Sequence, residues 1–395
     1  MNPVVYLDNN ATTRVAPEVA EAMLPYLTEF YGNPSSMHSF GGQVGLQLKK
    51  ARADVAAALG CDPLELIFTS CGSESDNTAI LSALAAQPEK KHLVTTRVEH
   101  PAVLSLAKHL EEKGYEVTYL GVNDKGDLDM AEVAGAVRKD TAIVSVMYAN
   151  NETGVIFPIP EIGALCKAKG VLFHTDAVQA VGKIDIDLSK LPVDMLSLSG
   201  HKLHAPKGVG VLYVRKGTPF RPFLIGGHQE RGRRAGTENT AGIIALAAAM
   251  TLAKAHMAEE NTRVKALRDR LEAGILAAVP HSQVNGDTAH RLPNTTSIAF
   301  KFVEGEAILL MLDQYGICAS SGSACTSGSL EPSHVLRAMG VPFTYAHGSI
   351  RFSLSRYTTD ADIDLVLDKL PGIIETLRRM SPFREEEAAK PACTC

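Results

Sequence analysis

"ELIFTSCGSESDNTAILSALAA", residues 65–86, sets a short strand-like run rich in Ile, Phe and Thr directly before a longer segment with helical apolar spacing. The same alternation continues to about residue 215. "HLVTTRVEH" precedes "PAVLSLAKHLEEKG", "YEVTYLGV" precedes "DMAEVAGAVRK", and "TAIVSVMYAN" precedes "IPEIGALCKAKG". "VLFHTDA", "VDMLSLS" and "GVGVLYVRKG" complete the series. Short apolar strands with helices between them predict an α/β fold: a large, mostly parallel sheet with helices on both faces. Beyond it the pattern predicts one long helix over 240–279, ended by Pro280. "TTSIAFKF", "GEAILLMLDQYG", "SIRFSLS" and "DADIDLVLDKLPGIIETLRRM" then predict a smaller α+β unit. The expected organisation is an N-terminal segment over 1–15, a large domain over 16–260 and a small domain over 261–383. The charged tail 384–395 is expected to be disordered.

Composition bounds the function. At 395 residues, 45% of them hydrophobic, the chain can bury a large core. A net charge of −5 gives no basic excess, which argues against a nucleic-acid partner. "MNPVVYLDNN" lacks the charged and apolar regions of a signal peptide. The longest apolar run, "AGIIALAAAMTLA", is shorter than the ~20 residues that span a bilayer, so no membrane role is expected. Seven scattered cysteines make no disulfide framework. These features together predict a cytoplasmic protein of a reducing compartment.

In an open α/β sheet a ligand lies beyond the carboxyl ends of the strands, and unusual residues gather at those positions. "LIFTS" leads into Gly72 and Ser73 at a helix start, where free N–H groups suit a phosphate, although Ser there also reads as a simple N-cap. "LFHTDAVQA" ends a strand with Asp176 and places Gln179 three residues on. "LSLSGHKLHAPKG" ends the next with Ser199, His201 and Lys202. Asp176 and Lys202 read as a plain salt bridge or as the acid and amine that pyridoxal phosphate requires. In the second reading Asp176 keeps the ring nitrogen protonated, because an adjacent anion favours the cation. Gln179 then serves the ring hydroxyl, and Ser199 and His201 share the phosphate. His201 and His204 complete no zinc set with further His or Cys.

"YLDNNATT", "GNPSSMHSFG", "FTSCGSESDN", "VEHPAV", "NNETGV", "HTDAVQAVGK", "SGHKLHAPKGVG", "GGHQERGRRAGTEN", "SSGSACTSGSLEPSHVLRAMG" and "SIRFSLSRYTT" occur in that order. Together they resemble the NifS/IscS class of pyridoxal-phosphate-dependent cysteine desulfurases, from about Val5 to about Pro382. The resemblance implies a fold-type I, aminotransferase-like homodimer with active sites at the subunit interface. It implies that Lys202 carries the cofactor, that Asp176 meets the pyridinium nitrogen and Gln179 the ring oxygen. Asn151 falls on the cofactor and substrate side. Gly72, Ser73, Ser199 and His201 become phosphate contacts, joined by Thr237 of the other subunit. His100 stacks on the ring as an acid–base group, Arg351 holds the substrate carboxylate, and Cys325 is the persulfide-forming nucleophile. The run departs from the common "TSGATES": among the changes, Cys71 stands for a glycine and Ser73 for a threonine, which leans the resemblance toward the nitrogen-fixation branch.

Cys325 lies in "SSGSACTSGS", residues 320–329, among small residues only. A flexible Gly/Ser tether of about ten residues reaches on the order of 17 Å, enough to carry a persulfide from a buried cofactor to an acceptor. The mobile loop is expected over 320–330. Read alone, Cys325 is an inert surface thiol; the surrounding motifs reverse that. Cys61, Cys71, Cys166 and Cys318 read as packing residues. The implied activity converts L-cysteine to L-alanine and donates sulfur to an iron–sulfur scaffold of the NifU/IscU kind, with nitrogenase as one destination. The only metal role in this reading is Cys325 as a transient iron–sulfur ligand shared with that scaffold. Competing readings are a selenocysteine lyase, another pyridoxal-phosphate aminotransferase-like enzyme, and a non-catalytic assembly scaffold.

Overall fold

The computed structural model describes residues 4–321 and 332–381. Cys325, most of the predicted cysteine loop and the tail 384–395 lie outside the described residues. The centre is a seven-stranded sheet of β2 (Leu66–Thr69), β3 (His92–Thr96), β4 (Glu116–Leu120), β5 (Thr141–Ser145), β6 (Leu172–Asp176), β7 (Met195–Ser199) and β8 (Gly210–Val214). Their spatial order is β2-β8-β7-β6-β5-β3-β4. Strands β4, β3, β5, β6 and β7 run parallel, whereas β8 is antiparallel to both neighbours. The sheet is therefore mixed and mostly parallel. Every residue of β3, β5, β7 and β8 is buried, as expected of strands covered on both faces, whereas the edge strand β4 is largely half-exposed. Each fully buried Ile, Leu or Val here contributes roughly 1.5–3 kcal/mol.

The long helix predicted over 240–279 is broken. Thr240–Ala255 is one helix, buried in the core through Ile243, Leu246 and Met250. After His256 the axis turns by 53°, a wider turn occupies Glu260–Val264, and Lys265–Ala278 follows. No single helix among the described residues is long and apolar enough to cross a membrane.

A second core is built on the antiparallel sheet β12-β10-β9, made of Ser349–Ser353, Thr295–Phe300 and Ser282–Val284. Helices Lys265–Ala278, Gly305–Asp313 and Asp360–Met380 supply its apolar side chains, among them Leu271, Ile308, Val366 and Ile373. The two cores interleave along the chain. Strand β1 (Val5–Tyr6) pairs with β11 (Ile317–Cys318), and Val5 and Leu7 pack in the second core. Val335, Leu336 and Met339 pack in the first, so one cut near residue 260 does not separate the cores.

Candidate active site

The carboxyl ends of β2, β3, β5, β6 and β7 open onto one cavity of ≈ 320 Å³. It is lined by Gly72, Ser73, His100, Asn151, Asp176, Gln179, Ser199, His201, Lys202 and Arg351. All the predicted site residues among the described residues meet there except Thr237. Thr237 is exposed and does not line the cavity.

At one end, β2 runs into the helix Gly72–Ala86. Cys71 is its N-cap, and no side chain caps the helix, which leaves its first amides available where Gly72 and Ser73 line the cavity. Cys71 has extended backbone (φ −171°), which any residue adopts, so the glycine of the common motif is not needed there. Gly72 is the tight position: a Cβ would come within 2.9 Å of Val178 Cγ2. Ser199 Oγ is buried with no hydrogen-bond partner among the described residues. Uncapped amides facing a bare hydroxyl make an anion cradle. His201 Nδ1 meets Thr12 Oγ1 at 3.1 Å, and burial followed by the charge of Lys202 pushes its pKa down to about 4.

Asp176 ends β6 fully buried and accepts the Val178 N–H at 2.9 Å. Burial raises its pKa, opposed by His100, by that N–H and by Lys202. A desolvated carboxylate of this kind gains from any cation brought against it. Two further acids lie close. Asp76 lines the cavity, and burial and then Asp176 push its pKa well above the usual range. Glu99 Oε1 accepts from Thr96 Oγ1 and the Met147 N–H, each at 2.9 Å, and burial lifts its pKa to about 8.

His100 caps the helix Pro101–Glu112: its Nδ1 accepts the Ala102 N–H at 3.1 Å. That contact places the ring proton on Nε2 in the neutral form. Burial lowers the His100 pKa, with Lys202 and His334 adding to the effect and Asp176 opposing it. Lys202 follows β7 in a tight turn, and its Nζ donates to the Asn10 and Ala11 carbonyls, each at 2.6 Å. Across the cavity, Arg351 on β12 donates from Nη1 to Asn151 O (3.0 Å) and from Nη2 to Asp8 Oδ1 (2.7 Å). Its Nε is buried with no partner among the described residues.

Four residues absent from the sequence reading help build the site: Asp8, Asn10, Ala11 and Asp76. The first three lie in "YLDNNATT", a polar run straight after an apolar one, which was the available signal. Cys71 is also reassigned. It lines the cavity rather than packing in a core. Burial raises the pKa of Cys61 and Cys166 to about 12 and also raises that of Cys318, so these thiols are poor nucleophiles. Among the described residues no cluster of His, Cys, Asp and Glu could hold a metal ion.

Residues 5–366 match the aminotransferase class-V family. The chain belongs to that family. Among class-V relatives, the protein named cysteine desulfurase 2 of Trichormus variabilis is 63% identical over 98% of this chain and 96% of its own length. The protein named cysteine desulfurase NifS of Azotobacter vinelandii is 63% identical over 96% of this chain and 94% of its own. A solved class-V structure described as a NifS-like protein superposes with a TM-score of 0.90 at 41% identity. It covers 95% of this chain and 100% of that one.

Proposed function

We propose that this class-V chain is a cysteine desulfurase that uses pyridoxal phosphate to convert L-cysteine to L-alanine and a persulfide on Cys325. The observation that carries the reading is the pairing of the Ser199 and Gly72 anion cradle with buried Asp176 and Lys202 in one cavity. A phosphate fits the uncapped amides and the bare Ser199 hydroxyl. A protonated ring nitrogen fits Asp176, a carboxylate whose burial raises its pKa despite the opposing charges of His100 and Lys202. Gln179 suits the ring oxygen, and Thr237 of a second subunit completes the phosphate contacts in a homodimer. The exposed apolar side chains of Leu24, Leu27, Tyr31, Met37 and Leu46 are of the kind a second copy would cover.

When bound, pyridoxal phosphate supplies the electron sink that makes the substrate α-carbon acidic. Arg351 and Asn151 hold the substrate, the guanidinium through its carboxylate. Lys202 Nζ takes and returns the α-proton, and His100 Nε2 moves the proton of the substrate thiol. The Cys325 thiolate then attacks the substrate sulfur. The new S–S bond forms as the C–S bond breaks, the electron pair stays with carbon, and that carbon takes a proton to give L-alanine. Cys61, Cys166 and Cys318 are too weakly acidic for this step, whereas Cys325 lies in a run free of bulky side chains. The persulfide passes to an iron–sulfur scaffold, with nitrogenase clusters as a destination suggested by the NifS relative. A reducing cytoplasm suits such thiol chemistry.

Purified protein loaded with pyridoxal phosphate should convert L-cysteine and a thiol reductant to alanine and sulfide in equal amounts. Activity on L-selenocysteine alone would reject the desulfurase reading. Arg351→Ala should raise KM for L-cysteine roughly 10- to 100-fold, with a smaller change in kcat, as loss of a charged hydrogen-bonded pair predicts. An unchanged KM would remove Arg351 from the substrate site.

A further inference from the structure

One buried cation has no part in the chemistry above. Lys183 follows Gly182, whose positive φ of 81° and whose missing Cβ, which would lie 2.5 Å from Leu203 Cδ2, allow the tight turn after Gln179. The Lys183 side chain folds back over that turn. Its Nζ donates to the Gln179 carbonyl at 3.1 Å and to Gln179 Oε1 at 2.8 Å. On the far side of the same amide, Gln179 Nε2 donates to the Asn10 carbonyl at 2.9 Å. A carbonyl only accepts, so these contacts permit one orientation: Oε1 toward Lys183 and Nε2 toward Asn10. Nε2 carries two hydrogens. The Asn10 carbonyl takes one, which leaves one N–H for the cavity that Gln179 lines.

We propose that Lys183 is a positioning residue that locks the Gln179 amide with its free N–H toward the cofactor's ring oxygen. The proposal rests on the cofactor reading given above. A purely structural role is already served otherwise, because Asn261 Nδ2 donates to the Lys183 carbonyl at 2.9 Å and ties the turn to the bent helix. Lys183 faces a narrow space shared with Lys202, His204, His256, Glu260 and Arg356. Burial, then Lys202, lower its pKa to about 7, while Glu260 opposes them. An ammonium and a neutral amine both keep an N–H for Gln179 Oε1, so the lock holds in either state. Without Lys183, Oε1 would be buried and unsatisfied, and the Asn10 carbonyl alone would hold the amide, so the N–H offered to the cavity would be less firmly fixed.

The test uses the pyridoxal-phosphate holoenzyme without substrate and reads two quantities: the midpoint of the visible absorbance titration and the cofactor dissociation constant. Lys183→Met and Gln179→Leu should each move the midpoint in the same direction by about one pH unit and weaken cofactor binding about tenfold. The double variant should match Gln179→Leu alone, since both changes remove one interaction. Lys183→Gln, which keeps an N–H donor and is the fallback if Lys183→Met does not fold, should stay near the parent values. Additive effects, an unmoved Lys183→Met, or a Lys183→Gln that behaves like Gln179→Leu would each overturn the positioning role. Failure of the parent protein to take up pyridoxal phosphate would instead overturn the cofactor reading itself.

Discussion

Lys202→Ala should lower L-cysteine turnover by roughly 10⁴-fold, the upper range for removal of a proton-transfer group, and should abolish the covalent link to pyridoxal phosphate. The reasoning starts from position. Lys202 stands in the tight turn after β7, where its Nζ is drawn to the Asn10 and Ala11 carbonyls beside the cavity. Those carbonyls hold the amine beside the cavity that Gly72 and Ser199 also line. Lys183 shares an adjoining space with Lys202, but its Nζ is engaged by Gln179. Arginine will not rescue the variant, because a guanidinium does not give up its proton in this pH range. Borohydride reduction followed by peptide mass analysis should place the cofactor on the Lys202 peptide in the parent protein and on no peptide in the variant. Residual turnover above a few hundredths of the parent rate would show that another group carries the proton.

Cys325→Ala should eliminate sulfide and persulfide formation while leaving cofactor absorbance and thermal stability unchanged. A thiolate is the required nucleophile, and the other cysteines among the described residues are poorly suited to take over. Burial weakens the acidity of Cys61, Cys166 and Cys318, and Cys71 sits at the cradle end of the cavity, on the helix start. Cys325→Ser should be equally inactive, since a hydroxyl at neutral pH is a far weaker nucleophile toward sulfur. Alanine and trapped persulfide are the quantities to measure after one turnover without reductant. Sulfide release at the parent rate from Cys325→Ala would favour an aminotransferase-like lyase that needs no thiol of its own.

Much of this arrangement was legible before any coordinates. The strands from 66 to 214 appear as near-continuous apolar runs because both faces of the sheet are covered, and Asp176 and Ser199 stand where those runs stop. Gly72 and Ser73 were likewise visible as helix-start residues after a strand, whereas His100 came only from the family resemblance. What the sequence hides is tertiary. The apolar spacing from 240 to 279 is unbroken, yet the helix bends after His256, where Glu260 is buried facing Lys183 and Asn261 bonds to the Lys183 carbonyl. Asp8 and Asn10 carry no periodic signal, and their value comes from residues more than a hundred positions away, among them Arg351, Asn151, Gln179 and Lys202. Thr237 remains exposed within one chain, and no spacing rule places a group that a second copy is expected to supply.

The short strand at Val5–Tyr6 has a temporal consequence. Its partner is Ile317–Cys318, and the next residues, Asn9 and Asn10, are fastened to Ser353. On the ribosome, residues 5–10 must therefore wait for residues 317 and 353 to emerge before they can settle. Contacts of such long sequence separation form late and slowly. The carbonyls that hold Lys202 arrive with them, so a nascent chain can complete its sheet well before it owns a working centre, and an unfinished product of translation stays chemically silent.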